Sequence, residues 1–145
     1  MKTITLFAAL LCCSLLTYAQ TEEQAVKNAV LDYVEGFYEG DTLKIKRSIL
    51  QAVNKYGYYQ PKDSQKYAGE PMSFKEMIQY SANVKKNNRP APKTAPKEIQ
   101  VFDVQDQTAS AKLTAWWGTD YILLAKYNDK WMIVQVLWQS VPKKK

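Results

Sequence analysis

The spacing of apolar residues changes partway along this chain, and that change limits the folds open to it. Before Lys97 the apolar residues recur at helical intervals, and after it they alternate. Val26, Ala29, Val30, Tyr33 and Phe37 form one stripe near a 3.6-residue period. Thr21-Glu22-Glu23-Gln24 supplies a capping-box pattern ahead of it, and Gly40 a left-handed stop behind it, predicting a helix over roughly 22–39. Asp41 is placed to cap a second helix whose buried face is Ile45, Ile49, Ala52 and Val53, ending near Gly57. Tyr56-Gly57-Tyr58-Tyr59 reads as a short strand, and the polar residues 60–71, with Pro61, Gly69 and Pro71, as a loop. Ser73 and Glu76 form another capping box, with Met72 and Met77 as its staple. The third helix then runs to about Val84, burying Phe74, Met77, Ile78 and Ala82 or Ser81.

Lys85 to Lys97 holds five basic residues, three prolines and no acid, a composition expected of an extended, solvated connection. Residues 98–104 form the first of the later strands. In residues 108–117, Ala109, Ala111, Leu113, Ala115 and Trp117 alternate with polar residues and Trp116, giving a half-buried antiparallel strand with a small-residue face. Gly118-Thr119 is expected to turn the chain into a strand over 120–127, and Asn128-Asp129 into another over 130–138. Trp138 is expected to share a face with Met132, Val134 and Val136, leaving Trp116 and Trp131 on the other face as a patch suited to a dimer interface. Three helices followed by hairpins make an α+β domain, and 145 residues leave room for one such domain.

The ends of the chain speak to location. Met1-Lys2, an apolar run over Ile4–Leu16 and then Thr17-Tyr18-Ala19 read as a signal peptide, residues 1–19, cleaved before Gln20. The run is shorter than the roughly 20 residues that span a bilayer, so the mature protein is expected in the periplasm or secreted, with no stable membrane anchor. Both cysteines, Cys12 and Cys13, lie in that leader, so residues 20–142, the expected domain, can form no disulfide. Lys143-Lys144-Lys145 forms a basic tail, expected to be disordered. The tail carries much of the net charge of +6, which argues against a nucleic-acid partner.

Three stretches carry a family resemblance. Asp32-Tyr33-Val34-Glu35-Gly36-Phe37-Tyr38-Glu39-Gly40-Asp41 is similar to the first-helix signature of the putative lumazine-binding proteins, members of the nuclear transport factor 2-like (NTF2-like) superfamily. Residues 117–134, from Trp117-Gly118-Thr119-Asp120-Tyr121 through Asn128-Asp129-Lys130-Trp131, match the same family, as does Met72-Ser73-Phe74. The resemblance implies a cone: three N-terminal helices packed on a strongly curved antiparallel sheet, with a pocket between them, and by analogy a homodimer. Gln51-Ala52 and Val141 stand where the family's pattern has histidines, so any chemistry those carry is missing here.

Absences narrow the chemistry. Histidine is absent and the mature chain has no thiol, which excludes Ser-His-Asp and Cys-His arrangements and leaves no conventional zinc or haem site. No phosphate-binding glycine motif occurs, and no metal or cofactor is expected. Carboxylate and phenol chemistry remain, with Asp120 and Asp32 as candidate catalytic acids beside Tyr33, Tyr121 or Tyr56. Aromatic content is the sharper signal: ten Tyr, four Trp and four Phe in the chain. Tyr33, Phe37, Tyr56, Trp117, Tyr121 and Trp138 are the candidates to line a pocket for a flat heteroaromatic or apolar small molecule. Three functions stay open: a non-catalytic ligand-binding domain, an acid–base enzyme acting on an enolisable or cyclic molecule, and a protein-interaction module.

Overall fold

In the computed structural model, residues 22–143 are described. The expected leader, residues 1–19, lies outside them, as do Gln20, Thr21, Lys144 and Lys145. Helix α1 covers residues 22–39 and buries Val26, Ala29, Val30, Tyr33 and Phe37, the stripe its spacing predicts, together with Val34. It ends at Gly40, with φ +72°. Asp41 caps α2 (Thr42–Ser48) by accepting from the amides of Leu43 and Lys44. The strands β1 (Ile49–Tyr59) and β2 (Ala68–Pro71) come next. Helix α3 (Phe74–Lys86) carries the complete Ser73–Glu76 capping box and buries Met77 and Ser81. Then come β3 (Lys97–Val104), β4 (Thr108–Ala115), β5 (Gly118–Tyr127) and β6 (Lys130–Ser140). The six strands form one sheet in the order β2-β1-β6-β5-β4-β3. The core lies between this sheet and the helices.

Four expectations are corrected. The second helix stops at Ser48 and does not reach Gly57; Ile49 opens an eleven-residue strand. Pairing supplies the reason: β1 has β6 on one side, with Tyr56 opposite Leu137, and β2 on the other, with Tyr56 opposite Pro71. A strand with two partners satisfies its backbone groups as fully as a helix, and its Val, Ile and Tyr residues favour the extended form. Part of the expected 60–71 loop is therefore strand as well, and α3 follows two strands instead of preceding the sheet. Second, the sheet is mixed rather than antiparallel, because β1 and β6 run parallel. The β3–β6 meander returns its last strand alongside β1 in the same direction.

Third, the turn between β4 and β5 is Trp116-Trp117, and Gly118 already pairs with Ala115. A Cβ on Gly118 would lie 1.9 Å from the Gln139 carbonyl oxygen, so only glycine lets β5 approach β6 this closely. Fourth, β6 changes face partway. Leu124 is opposite Ile133 but Leu123 is opposite Gln135, leaving Val134 as an extra residue, a β-bulge. Trp131 and Ile133 face the core before it, and Val136 and Trp138 after it. Trp131 is thus buried, its indole N–H donating to Glu22 at 2.7 Å, and takes no part in an exposed patch with Trp116. Trp138 shares its face with Val136, not with Met132 or Val134.

The basic connection between α3 and β3 is largely exposed, as its composition predicts, but it is not simply extended: it turns at 87–88 and 93–94, Ala95 donating its amide to the Pro92 carbonyl, and it is tied down. Ala91 donates its amide to the Tyr38 carbonyl, and the Tyr38 hydroxyl donates to Pro96 O at 2.6 Å. Lys143 also makes contacts, its Nζ donating to the carbonyls of Pro61 and Lys62.

Candidate functional site

Sheet register assembles the site. Gly57 on β1, Trp138 on β6, Asp120 on β5 and Leu113 on β4 are successive partners in one row across the inner face. One alternation earlier on β1, Lys55 also points inward. A Cβ on Gly57 would lie 1.7 Å from Trp138 Nε1, so the indole lies flat over a bare stretch of β1 backbone beside Lys55. From the helices, α1 contributes Tyr33 and Phe37 and α3 contributes Tyr80. The β4–β5 turn adds Trp116 and Trp117, and Glu70 and Met72 flank the end of β2.

These elements form an open cavity of about 260 Å³ lined by Phe37, Lys55, Glu70, Met72, Tyr80, Trp116, Trp117 and Trp138. Its walls are aromatic, in edge-to-face pairs: Phe37 with Tyr80 at 5.6 Å between centroids, and Phe37 with Trp117 at 5.8 Å. Its floor is charged. Lys55 is 6% exposed, and its Nζ lies 5.2 Å from the Tyr33 ring centroid, 5.8 Å from Phe37 and 5.7 Å from Trp138. A desolvated ammonium among aromatic rings gains about 2 kcal/mol or more from such contacts, short of what removing it from water costs.

The remaining compensation lies beneath the floor. Lys55 Nζ donates to Tyr33 Oη at 2.6 Å, and Tyr33 Oη donates to Asp120 Oδ2, also at 2.6 Å. Trp117 Nε1 donates to the other carboxylate oxygen at 2.7 Å, and the ion pair from Lys55 Nζ to Asp120 Oδ2 spans 3.7 Å. Asp120 is fully buried with a hydrogen bond on each oxygen. Burial lowers the Lys55 amine from its usual range, opposed by the Asp120 charge. Burial and the adjacent Asp120 carboxylate push the Tyr33 phenol well above its usual value.

The sequence profile of the family described as putative lumazine-binding matches residues 21–139. The chain belongs to that family. No curated protein matches it in sequence. An NTF2-like protein of unknown function from Shewanella baltica OS155 superposes with a TM-score of 0.62 at 22% identity, covering 85% of this chain and 96% of that one. Another, from Silicibacter pomeroyi DSS-3, gives 0.60 at 14% identity, with 87% and 98% covered. A third, from Methylobacillus flagellatus KT, gives 0.60 at 17%, with 83% and 93% covered. At these identities the likeness establishes an NTF2-like α+β fold.

Within this family member, the sequence candidates separate into three groups. Phe37, Trp117 and Trp138 line the cavity, while Tyr33 and Asp120 lie beneath its floor. Tyr56, Tyr121 and Asp32 are elsewhere: Tyr56 and Tyr121 are exposed, and Asp32 forms a bidentate ion pair with Arg47. Lys55, the one cation in the lining, is not among the sequence candidates. Reading residues 49–59 as a strand would have revealed it, because Val53, Lys55, Gly57 and Tyr59 then share a face. Among the described residues no three acidic side chains are grouped to hold a metal ion.

Proposed function

We propose that this protein is an exported small-molecule-binding domain whose cavity takes a planar aromatic or heteroaromatic compound bearing a carbonyl oxygen or an anionic group. The observation that carries the reading is Lys55, an ammonium at the base of an aromatic cavity. Tyr33 takes one of its N–H donors, and a ligand oxygen is the natural complement for another. The family's description is in keeping with such a ligand, lumazine being a flat pteridine with ring carbonyls. The cone geometry, with the sheet curved around α1, belongs to the same proposal. It is supported by the burial of α1 residues together with inward residues of β4, β5 and β6.

Native mass spectrometry of the purified protein tests the reading. A single bound small molecule, released on activation and absent from Trp117→Ala, is the expected result. A folded wild-type protein that carries no such mass, and whose tryptophan fluorescence planar aromatic carbonyl compounds do not saturably quench, sinks it. Acid–base catalysis is a second reading, favoured by the Tyr33–Asp120 contact. Because Asp120 is outside the lining and engaged on both oxygens, Lys55 rather than Asp120 would exchange a proton with a ligand.

A homodimer forms part of the proposal as well. On the outer face of the sheet, Tyr56 pairs with Leu137 and Leu137 with Tyr121, an exposed apolar row able to pack against a second copy.

A further inference from the structure

We propose that Lys55 captures carbonyl compounds covalently, its Nζ condensing with a planar aromatic aldehyde seated in the cavity to give an imine and one molecule of water. The inference rests on the cavity being an aromatic-ligand pocket and adds a bond-forming step to it. Three observations carry it. The amine lines the cavity and is within reach of its contents. It is withdrawn from bulk water, Lys55 being only 6% exposed, and desolvation disfavours the charged form and is the setting in which lysines act as nucleophiles. Finally, Nζ, Tyr33 Oη and Asp120 Oδ2 form a continuous line of hydrogen bonds, each 2.6 Å long.

That line moves the protons the reaction needs. The ammonium passes a proton to Tyr33 Oη while the phenol passes its own to Asp120, leaving a neutral amine, a neutral phenol and a carboxylic acid. The nitrogen lone pair then forms the C–N bond as the carbonyl pair moves onto oxygen, and a proton shifts from nitrogen to that oxygen. Asp120 returns its proton through Tyr33 to the carbinolamine nitrogen, a proton shifts from nitrogen to the hydroxyl, and water leaves as the nitrogen lone pair closes the C=N bond. One ammonium and one aldehyde become one protonated imine and one water, and the new cation stays beside the Asp120 carboxylate. No oxidant, reductant or metal is required. The other titratable groups of the lining, Glu70 from β2 and Tyr80 from α3, are both exposed.

The test incubates the purified protein at pH 7 with 2-naphthaldehyde and sodium cyanoborohydride, then maps the reduced adduct by peptide mass spectrometry. The chain has seventeen other lysines to compete, and an amine in open water is generally protonated at this pH. The expected result is labelling of Lys55 about tenfold or more above any other lysine, abolished in Lys55→Arg. Tyr33→Phe is expected to slow the labelling about tenfold, with the gap closing as pH rises and the amine loses its proton to solvent instead. Binding of 2-naphthalenemethanol, which cannot form an imine, is followed separately by tryptophan quenching. Saturable quenching by the alcohol with aldehyde adducts only on exposed lysines overturns the covalent step and leaves the pocket reading standing. No quenching by either compound, with no adduct at Lys55, overturns both.

Discussion

Tyr33 holds the buried charges of this protein together. Its hydroxyl accepts from Lys55 and donates to Asp120, and neither charge is exposed to bulk water. Tyr33→Phe removes both hydrogen bonds without changing the packing volume much, so a loss of about 1–3 kcal/mol is expected at pH 7. The sign of its pH dependence follows from the raised phenol pKa. Below the ordinary tyrosine value of 10.0 the phenol is neutral in both states, and its stabilisation is complete. Above it the unfolded chain ionises first, so the stabilisation drains away as pH rises toward the folded value. Urea unfolding from pH 7 to 11 should show the gap between wild type and Tyr33→Phe narrowing above pH 10. Gly57 matters for a simpler reason. Gly57→Ala places a methyl group in the Trp138 indole, and we expect a loss of about 1–3 kcal/mol together with weaker quenching by 2-naphthalenemethanol. Unfolding and titration of the same sample report both.

Among the elements, the β5–β6 hairpin and β1 behave oppositely. The hairpin turn is written locally: Asn128 and Asp129 both have positive φ, 49° and 59°, as a two-residue hairpin of the favoured hand requires. Asp129→Gly should relieve left-handed backbone cost and raise stability by roughly 0.5–1 kcal/mol, measurable as a higher melting temperature. The identity of β1 is not local. Ile45, Ile49 and Val53 keep helical spacing across a helix–strand junction, and Ile45 and Ile49 are both buried, one in α2 and one at the start of β1. The apolar pattern fits either element; β6 and β2 decide between them. Misreading β1 as a helix hides Lys55, since helical spacing puts it on no shared face with Gly57. The bulge at Val134 has the same character, because a single strand's pattern does not reveal an extra residue that shifts it against its neighbour.

At the scale of the whole molecule, helices cover one face of the sheet, while the other exposes Tyr121, Leu123 and Leu137. If a second copy covers this row, Leu137→Lys should convert a dimer to a monomer in light scattering without lowering the melting temperature of the isolated fold. A wild-type monomer at all concentrations would remove the dimer from the proposal. Export is tested by intact mass after expression with the native N-terminus: cleavage before Gln20 is expected, and a chain retaining residues 1–19 would contradict it.

The amino-acid sequence is enough to specify α1, its stop at Gly40, the capping box of α3 and the hairpin at Asn128-Asp129. Each depends on interactions within a few residues, where spacing and side-chain chemistry are sufficient. It also determined the family, through the 32–41 and 117–134 signatures, and it named Phe37, Trp117 and Trp138 as inward aromatics. The parallel pairing of β1 with β6, the face change at Val134 and the inward turn of Lys55 onto Tyr33 and Asp120 depend instead on long-range packing. Asp120 shows why. Beside a turn, its local chemistry suggests a solvated acid, yet the fold buries it completely. The donors that make this tolerable, Tyr33 and Trp117, come from α1 and the β4–β5 turn, and Tyr33 is 87 residues away in sequence. A buried charge is stable only with partners in place, and partners that distant are set by the packing of the whole chain.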